Sequence, residues 1–244
     1  MNSKPKLLDL FCGAGGAGMG YFRAGFDVTG VDMNPQPNYP FKFIQADAID
    51  YVAGHGYKFD AIHASPPCQV HTALAGLVRR RAGGEDYDVR HVDLIPHTRF
   101  WLESIGVPYV IENVPGARKS LRNPYMLCGG MFGLKVYRHR LFESNVYIFL
   151  PPHQKHVQKC LNKGYVPKTE HDFVIVTGKV GANILAQKAM GIDWMSTRRI
   201  EDRTSEASQA IPPAYTEYIG YQLMQHVMAH KAEHTEVSLL GMCA

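Results

Sequence analysis

A short apolar run, Lys6-Leu-Leu-Asp-Leu-Phe11, passes directly into Cys12-Gly-Ala-Gly-Gly-Ala-Gly18, and this junction constrains the fold more than any other stretch. A buried strand that empties into glycines and then into a helical segment, here Met19 to Ala24, starts a parallel α/β unit. The pattern continues with strands expected over Asp27–Val31, closed by Asp32, then Phe41–Gln45 and Phe59–Ala64. Leu94 to Ile105 has helical spacing, and Tyr109-Val-Ile-Glu112 reads as a fifth strand. Strands alternating with helices predict an α/β chain with a doubly wound, mostly parallel sheet.

The texture changes after Pro115. Val136–Glu143 and Asn145–Leu150 read as two short β segments, and Pro151 to His171 is rich in Pro, Lys and His. Asp172-Phe-Val-Ile-Val176 has the composition of one more strand. Pro212-Pro213 suits the first turn of a helix, where a missing N–H costs nothing. That helix is expected to run to about His230, with a loose tail after it. At 244 residues and 45% hydrophobic content, the chain can bury one sizeable core. Mean hydropathy is −0.19, and no apolar run approaches the length of a membrane helix. Five cysteines without paired spacing (Cys12, Cys68, Cys128, Cys160, Cys243) argue for reduced thiols in a cytoplasmic protein over a disulfide framework. A net charge of +4 is compatible with a polyanionic partner but does not require one.

Several positions carry chemistry. The loop Gly13-Ala-Gly-Gly16, followed by a strand that ends in Asp32, has the logic of a nucleoside-cofactor site, in which glycines admit the ligand and the acid takes ribose hydroxyls. The spacing departs from G-x-G-x-x-G, which disfavours a pyrophosphate. Asp9 could hold a cationic ammonium. Asp47 suits an adenine amino group or, equally, a helix cap. Pro66 and Pro67 stop the fourth strand and place Cys68 at its carboxyl end, where open α/β sheets bind ligands. Cys68 is there either a nucleophile or a small buried hydrophobe.

Asp9-Leu-Phe-Cys-Gly-Ala-Gly-Gly16, Pro66-Pro-Cys-Gln69, Glu112-Asn-Val114 and Arg138-His-Arg140, in this order, resemble the DNA cytosine-5 methyltransferases of compact bacterial or phage type. The resemblance covers residues 6–142 and returns in 207–220. It implies S-adenosylmethionine as cofactor and a cytosine of double-stranded DNA flipped into the pocket. Cys68 matches the nucleophile and Glu112 the acid at ring nitrogen 3. Arg140 matches the ligand of the base carbonyl, and Arg138 a contact to the site or an adjacent phosphate. Phe11, Gly13, Gly15, Gly16, Asp32, Met33, Asp47, Ala48, Pro66 and Leu94 fall on the cofactor side, with Asp9. Gln69, Arg79, Arg80, Arg81 and Asn113 fall on the nucleic-acid side, Asn113 also supporting the loop. The implied layout is a catalytic core over 1–142, a short recognition lobe over 143–183, a segment over 184–232 that returns to the core, and a tail over 233–244.

Departures from the pattern sharpen these expectations. Val136 stands where the basic motif carries Gln, which predicts weaker support of the base pocket. Ser208-Gln209-Ala210-Ile211-Pro212-Pro213 lacks the usual Gly-Asn, so Gln209 is expected at the amino-acid end of the cofactor. The small lobe predicts a short recognition site or help from a second subunit; a partner restriction endonuclease is the other expected associate. His153, His156, Cys160 and His171 fit no standard zinc spacing, so they are read as polar surface side chains and no metal is expected. A tRNA cytosine-5 methyltransferase is the nearest alternative, followed by a non-catalytic DNA-binding subunit and a nucleotide-dependent oxidoreductase.

Overall fold

A computed structural model describes residues 3–68, 71, 92–156, 172–174, 176, 184–198 and 205–241, with side chains described as far as residue 232. Seven strands form one sheet: β1 (Lys6–Leu10), β2 (Asp27–Asp32), β3 (Lys42–Gln45), β4 (Ala61–Ala64), β5 (Tyr109–Asn113), β6 (Tyr125–Leu127) and β7 (Arg140–Ser144). Their order is β3-β2-β1-β4-β5-β7-β6. The first five run parallel, while β7 is antiparallel to both β5 and β6. The five strands expected from the apolar runs are present, most trimmed or extended by a residue or two. Asn145–Leu150 is not a strand, and Asp172–Val176 is reduced, among the described residues, to a single bridge between Val174 and Val136.

Among the described residues, six α-helices accompany the sheet: α1 (Gly16–Arg23), α2 (Ala48–His55), α3 (Ile95–Ile105), α4 (Ile184–Met190), α5 (Glu206–Gln209) and α6 (Pro213–Gly241). Side chains on a strand point alternately to its two faces, so β1 sends Leu7 to one core and Leu8 and Leu10 to the other. The first core lies under α1 and α6, the second under α2 and α3. In α6 the buried positions Tyr215, Ile219, Leu223 and Val227 recur every fourth residue, one apolar stripe facing the sheet. The helix continues past His230 to Gly241, so residues expected as a loose tail extend it, since nothing between 231 and 241 breaks a helix.

The helices α1 and α6 approach closely because α1 is poor in side chains. A Cβ on Gly16 would lie 2.5 Å from the carbonyl oxygen of Ile211, and one on Gly20 would overlap Thr216 and the Pro213 carbonyl. The Thr216 hydroxyl donates to the Ala17 carbonyl at 2.8 Å across the gap. A third, smaller core joins Ala14, Val136, Val174, Ala186, Met190, Ile192 and Met195 to Ala207 and Ala210. Val136, which stands where the resembled motif carries Gln, is thus an apolar packing residue, 1% exposed.

Candidate active site at the carboxyl edge of the sheet

The strand order reverses direction at β1 and β4, because β1 leads out to β2 and β3 while β4 leads to β5. Adjacent connections diverge there and open a crevice at the carboxyl ends, the place where such sheets bind ligands. The glycine loop leaves β1 into this crevice, and Ser65-Pro66-Pro67-Cys68 leaves β4 beside it.

Glu112 lies on β5, one residue beyond the Ala64–Ile111 pairing with β4, and is 6% exposed. Asn113 joins the two strand ends: its Nδ2 donates to the Pro66 carbonyl at 2.9 Å, and its Oδ1 accepts from the Val114 N–H at 2.9 Å. Asn113 is 1% exposed. The expectation that it contacts nucleic acid is therefore corrected; its amide is committed to holding the Pro-Pro-Cys turn. Arg140 enters from β7, with Nε 2.9 Å from Glu112 Oε1 but not aligned as a hydrogen bond, so that oxygen has no directed donor.

The titration of these groups follows from their surroundings. Burial pushes the Glu112 carboxyl above the usual carboxylate range, against Arg140, Arg138 and the Ser65 hydroxyl, which pull it down. Burial also raises the Cys68 thiol, as does the charge of Glu112, while Arg140 opposes both. Cys68 is half-buried and reduced.

Arg138 does not join Arg140 at the pocket face. Its guanidinium donates to the carbonyls of Ala210 at 2.7 Å, Ser208 at 2.8 Å and Val176 at 3.1 Å, and the residue is buried. Tyr215 donates to the Arg138 carbonyl at 2.8 Å, beside a backbone φ of 25° that few side chains adopt. The direct contact to base or phosphate expected of Arg138 is corrected accordingly: it ties the segment before β7 to the return segment, and reaches Glu112 and Cys68 only through its charge.

On the cofactor side, Gly15 has φ 84° and caps α1, a left-handed position that favours glycine, and Gly13 has φ 47°. The Gly13 N–H donates to Asp32 Oδ2 at 3.1 Å and the Asn34 N–H to Oδ1 at 2.9 Å, which fixes the half-exposed carboxylate at the end of β2. Gly16 serves the helix contact described above. Phe11 sits at φ 55°, the kind of backbone strain that gathers at ligand sites. Asp47 caps α2, its Oδ1 accepting from the N–H groups of Ile49 at 2.8 Å and Asp50 at 3.0 Å. Met33 is 63% exposed, Leu94 is half-buried at the start of α3, and Ala48 and Pro66 are buried. Gln209 ends α5 with an exposed side chain, next to the Ala210–Ile211 backbone that closes over the glycine turn.

Asp9 departs from expectation. It is 1% exposed, with the Tyr39 hydroxyl donating to its Oδ2 at 3.1 Å, and burial together with Asp32 pushes its carboxyl up to about 8. A group packed beneath α1 on the Leu7 face does not present a carboxylate to an ammonium in the crevice. Gln69, Arg79, Arg80 and Arg81 lie outside the described residues.

Sequence reasoning missed the support under the site. His63, on β4, is fully buried with its imidazole held neutral by burial at about 3. Its Nδ1 meets the Tyr21 hydroxyl at 3.0 Å and its Nε2 the Ser65 hydroxyl at 2.9 Å. Trp194 Nε1 donates to the Ala14 carbonyl at 2.9 Å, which pins the return segment to the glycine loop. A histidine inside an apolar strand and a distant tryptophan carry no local signal. His153 and His156 lie at the surface, and sequence reasoning missed only their grouping: their rings pack with His139 near Cys128, partners supplied by the β6–β7 pairing and invisible to spacing.

No protein-family model matches the chain. Over 127 residues it is 30% identical to the type II methyltransferase M.AgeI of Thalassovita gelatinovora, a stretch that is 46% of this chain and 28% of the relative. The chain therefore matches well under half the length of that curated protein. In sequence and in fold, it resembles methyltransferases. A protein described as a DNA modification methyltransferase encoded within an E. coli prophage superposes with a TM-score of 0.59 at 14% identity, covering 92% of this chain and 99% of the other. The methyltransferase EhMeth of Entamoeba histolytica gives 0.56 at 13% identity, over 93% and 99%. The Dnmt2 methyltransferase of S. pombe gives 0.53 at 13%, over 92% and 99%. At such identities the likeness is one of fold, the seven-stranded sheet with its flanking helices. No helix among the described residues is long and apolar enough to cross a membrane.

Proposed function

We propose that this chain is a DNA cytosine-5 methyltransferase that uses S-adenosylmethionine and a covalent Cys68 adduct. The observation that carries the reading is the convergence of Cys68, Glu112 and Arg140 from β4, β5 and β7 in the switch-point crevice, joined through Asn113 and Pro66. Carbon 5 of cytosine is a poor nucleophile. Addition of the Cys68 thiolate to carbon 6 makes carbon 5 enamine-like, dividing one hard step into two. Negative charge then reaches ring nitrogen 3, where a Glu112 that retains its proton donates it. Arg140 stands beside Glu112, placed to bind the base carbonyl. The cofactor supplies an electrophilic methyl group; carbon 5 takes it, loses its proton, and the cysteine leaves to restore the ring.

The half-buried Asp32 carboxylate, already oriented by two backbone N–H groups, suits ribose hydroxyls. Both N-terminal capping bonds of α2 land on Asp47 Oδ1, which leaves Oδ2 for an adenine amino group. Gln69 and Arg79–Arg81 fall in the stretch between Cys68 and α3, where phosphate contacts belong in this reading. A protein bound to DNA in the cytoplasm, with or without a restriction endonuclease or second subunit, is the setting it implies.

The test is nucleoside mass spectrometry on DNA from bacteria without cytosine methylation of their own that express the chain. 5-Methylcytosine is expected, and bisulfite sequencing then gives the site. Absence of the mark from a folded, cofactor-binding protein, with methylated cytosine in tRNA instead, transfers the chemistry to the RNA substrate. For the cofactor, Gln209→Ala is expected to weaken S-adenosylhomocysteine binding about three- to tenfold by calorimetry, the worth of one hydrogen bond. Unchanged affinity removes Gln209 from the site.

A further inference from the structure

Cys128, His139, His153 and His156 each offer one ligand atom, and all four atoms lie within 4.8 Å of one another. The cluster is assembled from three separate segments. In the antiparallel β6–β7 ladder Leu127 stands opposite Arg140, so the next pair outward sets Cys128 opposite His139. His153 and His156 come from the loop that follows Pro151-Pro152, three residues apart.

The distances have the scale of a coordination tetrahedron. Cys128 Sγ is 3.3 Å from His156 Nε2, and His139 Nε2 is 3.3 Å from His153 Nε2. Ligands roughly 2.0–2.3 Å from a shared zinc ion stand roughly 3.3–3.6 Å apart along the edges of a tetrahedron. The surroundings hold the rings in place. Tyr137 stacks on His156 with centroids 3.7 Å apart and planes 6° from parallel, and His139 stacks on His156 at 4.9 Å. The Gly129 N–H donates to the Tyr137 carbonyl at 3.0 Å, closing the turn after Cys128 against the strand that carries His139. Cys128 itself is 1% exposed.

We propose that these four residues form a zinc site. One thiolate with three imidazoles is a borderline-soft donor set that suits zinc, and four protein ligands leave no open position, so the ion is structural. Binding takes the proton from the Cys128 thiol and releases it to solvent. The ion fastens the loop at 151–156 onto the β6–β7 edge. It also fixes His139, whose carbonyl accepts from Arg140 Nη1 at 2.9 Å, immediately beside the arginine that faces Glu112.

The test is elemental analysis of tag-free protein after dialysis, with cobalt(II) titration of the metal-stripped chain. About one zinc per chain is expected, and cobalt should give the visible bands of a tetrahedral site together with a thiolate charge-transfer band. Cys128→Ser should remove the charge-transfer band, and His153→Ala with His156→Ala should bring the zinc content close to zero. The surface variant His97→Ala, and Cys160→Ser with His171→Ala, should leave one zinc per chain. Substoichiometric zinc together with no tetrahedral cobalt spectrum overturns the site, whether or not the protein methylates DNA. Loss of zinc in Cys160→Ser or His171→Ala overturns the ligand assignment. Because Cys128→Ser keeps a residue of similar volume, its spectrum is read on protein whose circular dichroism matches the parent.

Discussion

Cys68→Ala is expected to reduce methyl transfer by at least about four orders of magnitude, since losing a nucleophile removes the covalent route and leaves only binding and electrostatics. Cofactor affinity should change little, because the glycine loop follows β1 and Asp32 ends β2, both away from the Cys68 turn in sequence. Single-turnover assay beside S-adenosylhomocysteine binding separates the two; a variant that binds cofactor and still transfers methyl at a tenth of the parent rate defeats the assignment. The pH profile carries a second reading of the same site. Burial and Glu112 raise the thiol, so the thiolate is the scarce form near neutrality, and over the range where Glu112 keeps its proton the rate should climb about tenfold per pH unit as more of Cys68 ionises. Arg140 pulls both Cys68 and Glu112 down. Arg140→Gln removes that pull, so both groups should titrate higher and the rising limb should move to more alkaline pH. A limb that stays in place means that another group controls it.

The largest stability effect is expected at Arg99→Met. Arg99 on α3 holds Glu143 on β7 by two hydrogen bonds of 2.6 Å, with both side chains almost entirely buried, and also donates to the Ser120 carbonyl at 2.6 Å. Glu143 further accepts from the Arg122 N–H at 2.7 Å. Methionine keeps the volume and leaves a buried carboxylate with no cation, which costs about 3–5 kcal/mol and lowers the unfolding midpoint by about ten degrees. Adding Glu143→Leu should recover a large part of the loss, because it removes the stranded charge. Recovery should be incomplete, since the Arg122 N–H loses its acceptor. Thermal unfolding of the parent, the single and the double variant checks this, and a single variant within a degree or two of the parent would show the pair to be dispensable. The pair matters beyond stability: it anchors β7, the strand that delivers Arg140 to Glu112.

The strands of the parallel sheet were legible because each is a short apolar run bounded by Gly, Pro or Asp, and burial on both faces leaves no polar alternation to confuse the pattern. Cys68 and Glu112 were legible for the same reason, as residues that close such runs. The glycine turn was legible as a turn. Its detail was not: Gly16 is small because the Ile211 backbone, just before α6, packs against it, a contact between residues far apart in sequence. The same limit applies to Asp9, whose polarity suggested a ligand while its alternation along β1 put it under Tyr39.

The amino-acid sequence by itself determined the sheet class, and it set a cysteine just after β4, an acid on β5 and an acid closing β2, since these depend on local periodicity and on residue type at a strand end. Only the tertiary structure decided how Arg138 and Arg140 divide their work. Two arginines two positions apart, one just before β7 and one at its start, point to different neighbours, one into the carbonyls of the return segment and the other onto Glu112. Only the antiparallel register of β6 against β7 placed Cys128 beside His139, with His153 and His156 folding back on them. Pair formation between distant segments is set by packing and register, which no local window of the chain encodes.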